Sequence, residues 1–371
     1  MAAFVYLDHN ATSPLRPAAF DAMVEALRTG GNPSAVHAAG RRARGLVEAA
    51  RRQVAALVGA LPAEIVFTSG GTEANNMALA GAGRRRLLVS AIEHESVLKA
   101  APEGTVVAVD GDGVVDLAAL ERALAASDAP TLVSVMFANN ETGVVQPMAE
   151  IVRLARAAGA LVHCDAVQAA GKVAVDLHGI GIDYLSLAAH KLGGPTGVGA
   201  LVVRAGAPFT ASRLGGGQEA GRRAGTENLS GIVGFGAAAE AAGAGLEVTL
   251  REHLETALRG IAPAACIHGA GVRRLPNTTC VSMPGVTAQT QVMALDLAGI
   301  GVSAGSACSS GKVHRSAVLA AMGLDDATAG SAIRVSSGWN SQESDIDRLI
   351  AAWRDLYIRV GKSDMTEARA A

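Results

Sequence analysis

Short apolar runs alternate along this chain with segments whose apolar positions recur every three or four residues. The runs at 64–69, 86–91, 105–110, 131–138, 160–166, 183–189 and 197–203 show little alternation between apolar and polar positions. That pattern predicts strands buried on both faces. Helical periodicity fills the gaps, as in 71–82, 116–127 and 148–159. The alternation predicts an α/β fold: a mainly parallel seven-stranded sheet with helices on both faces, joined by right-handed crossovers. Upstream, residues 34–58 predict a long amphipathic helix, with Ser34 as N-cap and Gly59 as terminator. Residues 224–260 predict one long helix or two in tandem. Beyond them the texture changes to shorter runs such as "TTCVSMPG" and "AIRVSSGW", which indicate a smaller α+β unit. The boundary is expected inside or after the long helix, near 250–262.

Composition narrows the function classes. A chain of 371 residues suits two domains, and 50% apolar with 18% charged residues describes a well-buried globular protein. A net charge of −2 argues against nucleic-acid binding by bulk electrostatics, and Arg84-Arg85-Arg86 reads as a solvated face. The first residues lack a basic stretch followed by an apolar one, and no run approaches the ~18 apolar residues that span a bilayer. No membrane partner and a cytoplasmic location are expected. Cys164, Cys266, Cys280 and Cys308 are far apart, so neither a disulfide framework nor a metal site is expected. Cys164, Cys266 and Cys280 read as packing residues, and His163 as a strand histidine with its polar needs met.

In an open α/β sheet, ligands bind beyond the carboxyl ends of the strands. After 64–68 comes Ser69-Gly70-Gly71-Thr72, which opens a helix; it reads as an anion cradle or as an ordinary tight turn. After 131–138 come Asn139 and Asn140; after 160–164 come Asp165 and Gln168; after 183–189 come His190 and Lys191. An acid, amides, a lysine and a possible phosphate cradle therefore share one rim. A lysine at the end of a partly buried strand suits a Schiff base, because desolvation frees its amine. An acid one βαβ step earlier could keep a pyridine nitrogen protonated, the pairing that pyridoxal 5′-phosphate needs as an electron sink. "GSACSSGK" (305–312) does not have the spacing of a P-loop.

Ten ordered segments carry a wider resemblance. They include "YLDHNAT" (6–12), "GNPSAVHAAGRRAR" (31–44), "FTSGGTEANN" (67–76), "EHESV" (93–97), "NNETGVVQP" (139–147), "HCDAVQAAGK" (163–172), "AHKLGGPTGVGAL" (189–201), "GSACSSG" (305–311) and "IRVSSGW" (333–339). Over nearly its whole length the chain resembles a cysteine desulfurase of the NifS/IscS type, in the class V aminotransferase group of fold-type I pyridoxal-phosphate enzymes. The resemblance implies a large domain over 13–255 and a small one made of 1–12 with 256–371. It implies that Lys191 carries pyridoxal 5′-phosphate, Asp165 pairs with the pyridine nitrogen, and His94 stacks on the ring and shuttles protons. Gln168 would bind the phenolic oxygen, with Asn140 at the same edge near the substrate. Gly71, Thr72 and His190 would hold the phosphate, and Thr226 would reach the phosphate of the other subunit in a homodimer. Arg334 would bind the α-carboxylate of L-cysteine. Two positions depart from the family pattern: Ala188 stands where a phosphate-binding serine is common, and Ser337 where an apolar residue is common.

Within the resemblance, Cys308 is the nucleophile. It would take sulfur from L-cysteine as a persulfide, leave L-alanine, and pass the sulfur to an acceptor or iron–sulfur scaffold protein. A Gly/Ser-rich loop is expected around Cys308, because one sulfur atom must serve two places. A selenocysteine lyase is the nearest rival reading. A metal hydrolase built on His94, His163, Asp165 and His190 lacks any local ligand spacing such as HExxH.

Overall fold

The computed structural model describes residues 4–242, 248–305 and 316–370, with side chains described as far as Arg359. A two-residue strand, β1 (Val5–Tyr6), comes first. Seven strands then form one sheet: β2 (Ile65–Thr68), β3 (Arg86–Ser90), β4 (Thr105–Val107), β5 (Thr131–Ser134), β6 (Leu161–Asp165), β7 (Tyr184–Ala188) and β8 (Gly199–Val203). Their order is β2-β8-β7-β6-β5-β3-β4. β8 pairs antiparallel with both β2 and β7, while the other four pairings are parallel. Six strands therefore run one way, and their carboxyl ends share one edge.

The apolar runs work as expected because both faces are covered. Ile65, Leu88, Val133 and Val162 enter one core with Val47, Val54 and Phe235. Their neighbours Val66, Val89 and Leu132 enter another on the opposite face with Met77 and Leu201. Successive strand side chains point to opposite faces, so a run apolar at every position needs both.

The remainder builds a second sheet from β9 (Cys266–Ile267), β10 (Thr278–Ser282), β12 (Ser303–Ala304) and β13 (Ala332–Ser336), all antiparallel, in the order β12-β13-β10-β9. β11 (Ile300–Gly301) lies between β10 and β12 in sequence and pairs in parallel with β1. A further core holds Val5 and Leu7 with Leu254, Leu258, Val281, Ile333 and Trp353. The first residues of the chain are thus packed with the last third, and a bridge joins Asp8 to Ser336.

Several expectations are corrected. The helix expected over 34–58 runs Ala38–Leu57 and is capped by the His37 ring, which accepts from Gly40 N. Ser34 instead sits in a turn where Asn32 Oδ1 accepts its N–H. Gly59 does follow the helix, with φ +62. Residues 224–260 hold two helices, Leu229–Glu240 and Thr249–Ile261, with 243–247 outside the described residues. The pattern missed the helix Pro17–Thr29, which buries only Ala19 and Ala26. It packs close on Leu229–Glu240: a Cβ on Gly234 would lie 2.5 Å from Met23 Cγ. Cys266 is exposed on an edge strand and is no packing residue, whereas Cys164 and Cys280 are buried. His163 bonds Ser134 Oγ at 2.8 Å and Ser186 Oγ at 3.0 Å. Among the described residues no helix is long and apolar enough to cross a membrane.

One buried ion pair ties the region after β8 to the large sheet. Arg51 reaches both oxygens of Glu219, at 2.8 and 2.9 Å, and Glu219 also accepts from Phe67 N at 2.8 Å. These bonds hold Glu219 at φ +48, which costs a non-glycine residue strain. Glu219→Ala leaves the buried Arg51 guanidinium only the more exposed Glu48 carboxylate and the Ile65 carbonyl, leaves Phe67 N without its acceptor, and is expected to cost about 3 kcal/mol. A urea melt by circular dichroism measures this; an unchanged midpoint would show that the pair does not hold this region.

Candidate active site

At the carboxyl edge of the large sheet lies a cavity of about 470 Å³. It is the meeting point of the β2, β3, β5, β6 and β7 ends, the residues after β1, and Arg334 of β13. β7 runs into a single 3-10 turn, Ala189–Lys191, that carries Lys191 to the wall. Lys191 Nζ donates to the carbonyls of Asn10 and Ala11, both at 2.7 Å. Burial, and then the charge of Arg334, push this amine down to about 8, while Asp8 and Asp165 pull it up. A useful fraction is therefore free base near neutral pH, as a carbonyl-directed nucleophile requires.

Asp165 is the last residue of β6. Its Oδ1 accepts from Val167 N at 2.9 Å and its Oδ2 from Asn75 Nδ2 at 2.7 Å. Asn75 Nδ2 also lies 2.9 Å from Ser96 Oγ, which is 2.7 Å from His94 Nδ1. Ser96 N donates to the same ring nitrogen at 3.1 Å. A backbone N–H can only donate, so Nδ1 accepts, and a neutral His94 ring carries its proton on Nε2. Asp165 and His94 are thus linked through two polar side chains and both line the cavity.

Gly71 and Thr72 open the helix Gly71–Gly81 against the same space, where free N–H groups and the helix dipole favour an anion. The approach is close: a Cβ on Gly71 would lie 2.8 Å from Val167 Cγ2. His190 lines the cavity, with Nδ1 3.2 Å from Thr12 Oγ1, and burial followed by the Lys191 charge lowers its ring to about 4. Ala188 also lines the wall. Ser186, one step deeper, is buried and engaged with His163, so its hydroxyl does not replace the absent serine. Thr226 is not at the cavity. It lies in a separate recess with Ser69, Arg223 and Gly225.

Arg334 is buried, with Nη2 2.6 Å from Asp8 Oδ1 and Nη1 donating to Asn140 O at 3.0 Å. Its Nε has no partner among the described residues. Asn140 and Gln168 line the same wall. Cys308 lies outside the described residues, but Gly305, Ala317 and Val318 on either side of 306–315 line the cavity.

Sequence reasoning missed much of the polar framework. Asp8 and Asn10 belong to a matched segment, yet nothing in the pattern tells that Asn10 Nδ2 donates to Thr278 Oγ1 at 2.9 Å while its carbonyl receives Lys191. Lys172 reaches Asn10 Oδ1 and Gln168 Oε1, both at 2.7 Å. Asn75, Ser96, Glu93 and Glu141 also line the cavity. The available signal was a set of polar residues in otherwise apolar stretches. Glu141 accepts from Ser316 Oγ at 2.6 Å, and burial raises it to about 7. Glu93 accepts from Ser90 Oγ and from Met136 N, and burial, with Asp165 adding, raises it to about 8.

Residues 5–349 match the family model for class-V aminotransferases. The chain belongs to that family. A cysteine desulfurase of Cereibacter sphaeroides is 46% identical over 93% of this chain and 94% of its own length. An IscS-like cysteine desulfurase of Mycobacterium tuberculosis is 38% identical over 98% of this chain and 99% of its own. Among solved structures, a NifS-like protein from Rickettsia africae superposes with a TM-score of 0.88 at 35% identity, covering 95% of this chain and 99% of the other. These likenesses agree with the fold-type I architecture expected from the sequence and place the chain among the cysteine desulfurases.

Glu93 makes stability depend on pH. Its folded pKa, about 8, lies above the ordinary 4.5, so between these values the unfolded chain releases a proton that the folded chain keeps. Stability from this group therefore falls as pH rises from about 4.5 to about 8 and is level beyond. Glu93→Gln is expected to flatten the decline in melting temperature over that window. Parallel curves for the two proteins, measured by calorimetry, would show that Glu93 is ionised throughout.

Proposed function

We propose that the protein is a pyridoxal-phosphate-dependent cysteine desulfurase: L-cysteine and the Cys308 thiol give L-alanine and a Cys308 persulfide. The observation that carries the reading is a buried lysine amine, lowered to about 8, on the same wall as the Asp165 carboxylate and the Gly71 helix end. That set fits the cofactor: an amine for the carbonyl, a carboxylate for a protonated ring nitrogen, and a glycine-opened helix N-terminus for a phosphate. When bound, pyridoxal phosphate supplies an electron sink for the carbon next to the amino group. Lys191 would carry it and then move the proton at that carbon. Asp165 would keep the ring nitrogen protonated. His94, presenting Nε2–H, would lie against the ring and move a proton. Gln168 and Asn140 would face the phenolic edge, and Gly71, Thr72 and His190 would hold the phosphate.

Arg334 would bind the substrate carboxylate with donors that Asp8 and Asn140 leave open. Cys308 would attack the substrate sulfur, and the residues around its segment that line the cavity support this. Thr226, away from the cavity of its own protomer, would complete the phosphate site of a second subunit in a homodimer. The persulfide would pass to a sulfur acceptor or iron–sulfur scaffold protein in the cytoplasm. The division into 13–255 and 1–12 with 256–371 belongs to the same proposal.

The test is alanine released from L-cysteine with a thiol reductant present. Wild type is expected to give alanine and sulfide in equal amounts, Cys308→Ala at least a hundredfold less of both, and Lys191→Ala neither. Equal alanine from wild type and Cys308→Ala would replace this reading with a lyase that frees sulfur directly.

A further inference from the structure

We propose that Lys172 is a positioning residue that fixes which way the Gln168 amide faces, so that a Gln168 N–H is presented to the cavity. A glutamine amide is nearly symmetric in shape, and its oxygen and nitrogen can exchange places by a half-turn. At Gln168 two contacts remove that freedom. Oε1 lies 2.7 Å from Lys172 Nζ, and Nε2 donates to the carbonyl of Asn10 at 2.9 Å. A half-turn would set the carbonyl of Gln168 against the carbonyl of Asn10. One hydrogen of Nε2 is thereby committed, and the other remains for a ligand in the cavity that Gln168 lines.

The same amine orients a second amide. Lys172 Nζ is 2.7 Å from Asn10 Oδ1, which also receives Asn277 Nδ2 at 3.3 Å. Asn10 Nδ2 is thereby turned toward Thr278 Oγ1. Lys172 does this in either protonation state. Burial, then the charges of Lys191 and Arg334, hold its amine well below the ordinary lysine range, yet a neutral amine still has two hydrogens for these two acceptors. Half-buried by area, Lys172 makes both bonds inward. It is thus a second lysine beside the reactive one whose task is hydrogen-bond direction.

The consequence concerns the cofactor's phenolic oxygen, and so rests on the pyridoxal-phosphate reading above. An N–H donor at that oxygen stabilises its negative charge and weakens its hold on the neighbouring proton, which lowers the pH at which the visible absorption of the loaded protein titrates. If Lys172 sets the donor, Lys172→Met should raise that midpoint by on the order of one pH unit, tenfold in the equilibrium. Gln168→Met should raise it by a similar amount. The double variant should shift no further than either single one, because both changes remove the same donor. Lys172→Gln, which can still donate to Gln168 Oε1, should return the midpoint toward wild type.

The experiment is a spectrophotometric pH titration of the full chain loaded with pyridoxal phosphate, with circular dichroism of each variant to confirm folding. Should Lys172→Met not fold, Lys172→Ala and its double variant with Gln168→Met take its place, with the same shifts expected. An unshifted Lys172→Met beside a shifted Gln168→Met, or additive shifts in the double variant, would overturn the proposal and leave the cofactor reading intact. A wild-type protein with no visible band in excess pyridoxal phosphate would overturn both.

Discussion

The site depends on placing cations out of water. Lys191, Lys172 and Arg334 all converge at the carboxyl edge of one sheet; the charges of Lys191 and Arg334 push the Lys172 amine down, and that of Arg334 pushes down Lys191. Burying such groups is costly unless acceptors surround them. Most of the acceptors come from a short stretch near the start of the chain, the Asn10 and Ala11 carbonyls, the Asn10 amide oxygen and the Asp8 carboxylate, joined by Gln168 Oε1 and the Asn140 carbonyl. Dipoles rather than full negative charges meet the Lys191 amine directly. That arrangement satisfies its hydrogen bonds while leaving burial and Arg334 to favour its neutral form.

This constraint explains the architecture around the cavity. β1 pairs with β11, and Asp8 bridges to Ser336, so the segment that serves the large sheet's lysine is anchored in the smaller sheet. Arg334 on β13 then reaches back to Asp8 and Asn140. The cavity wall is shared between two hydrophobic cores, and a shift of one sheet against the other would be felt at the Lys191 amine. Acid groups fit the same logic. Burial pushes Glu93 up to about 8 and Glu141 up to about 7, which reduces their negative charge near neutral pH, and the carboxylates that raise the Lys191 amine are Asp8 and Asp165.

Much of the fold was legible because the physical signal is local. An apolar run such as 184–188, which needs cover on both faces, has few alternatives to a central strand. The helix Pro17–Thr29 went unread because only two alanines of it are buried, and its close contact comes from a glycine on another helix. Cys266 was misread because a short apolar stretch does not reveal that its strand is an edge. The placement of the cavity-lining residues at strand ends was legible by position. Asn75, Ser96 and Lys172 were not, since their roles consist of bonds to residues that sequence spacing leaves far apart.

The sequence by itself determined the α/β class, the strand-end placement of Asp165 and Lys191, and, through its ordered motifs, the family. These depend on periodicity and residue type, which are properties of neighbours along the chain. Only the tertiary structure decided that Asn10 holds the lysine, that Ser186 is spent on His163, that Thr226 stands apart from the cavity, and which way the amides face. The reason is that burial and hydrogen-bond direction arise when distant segments exclude water from each other, and no local pattern specifies which segments those will be.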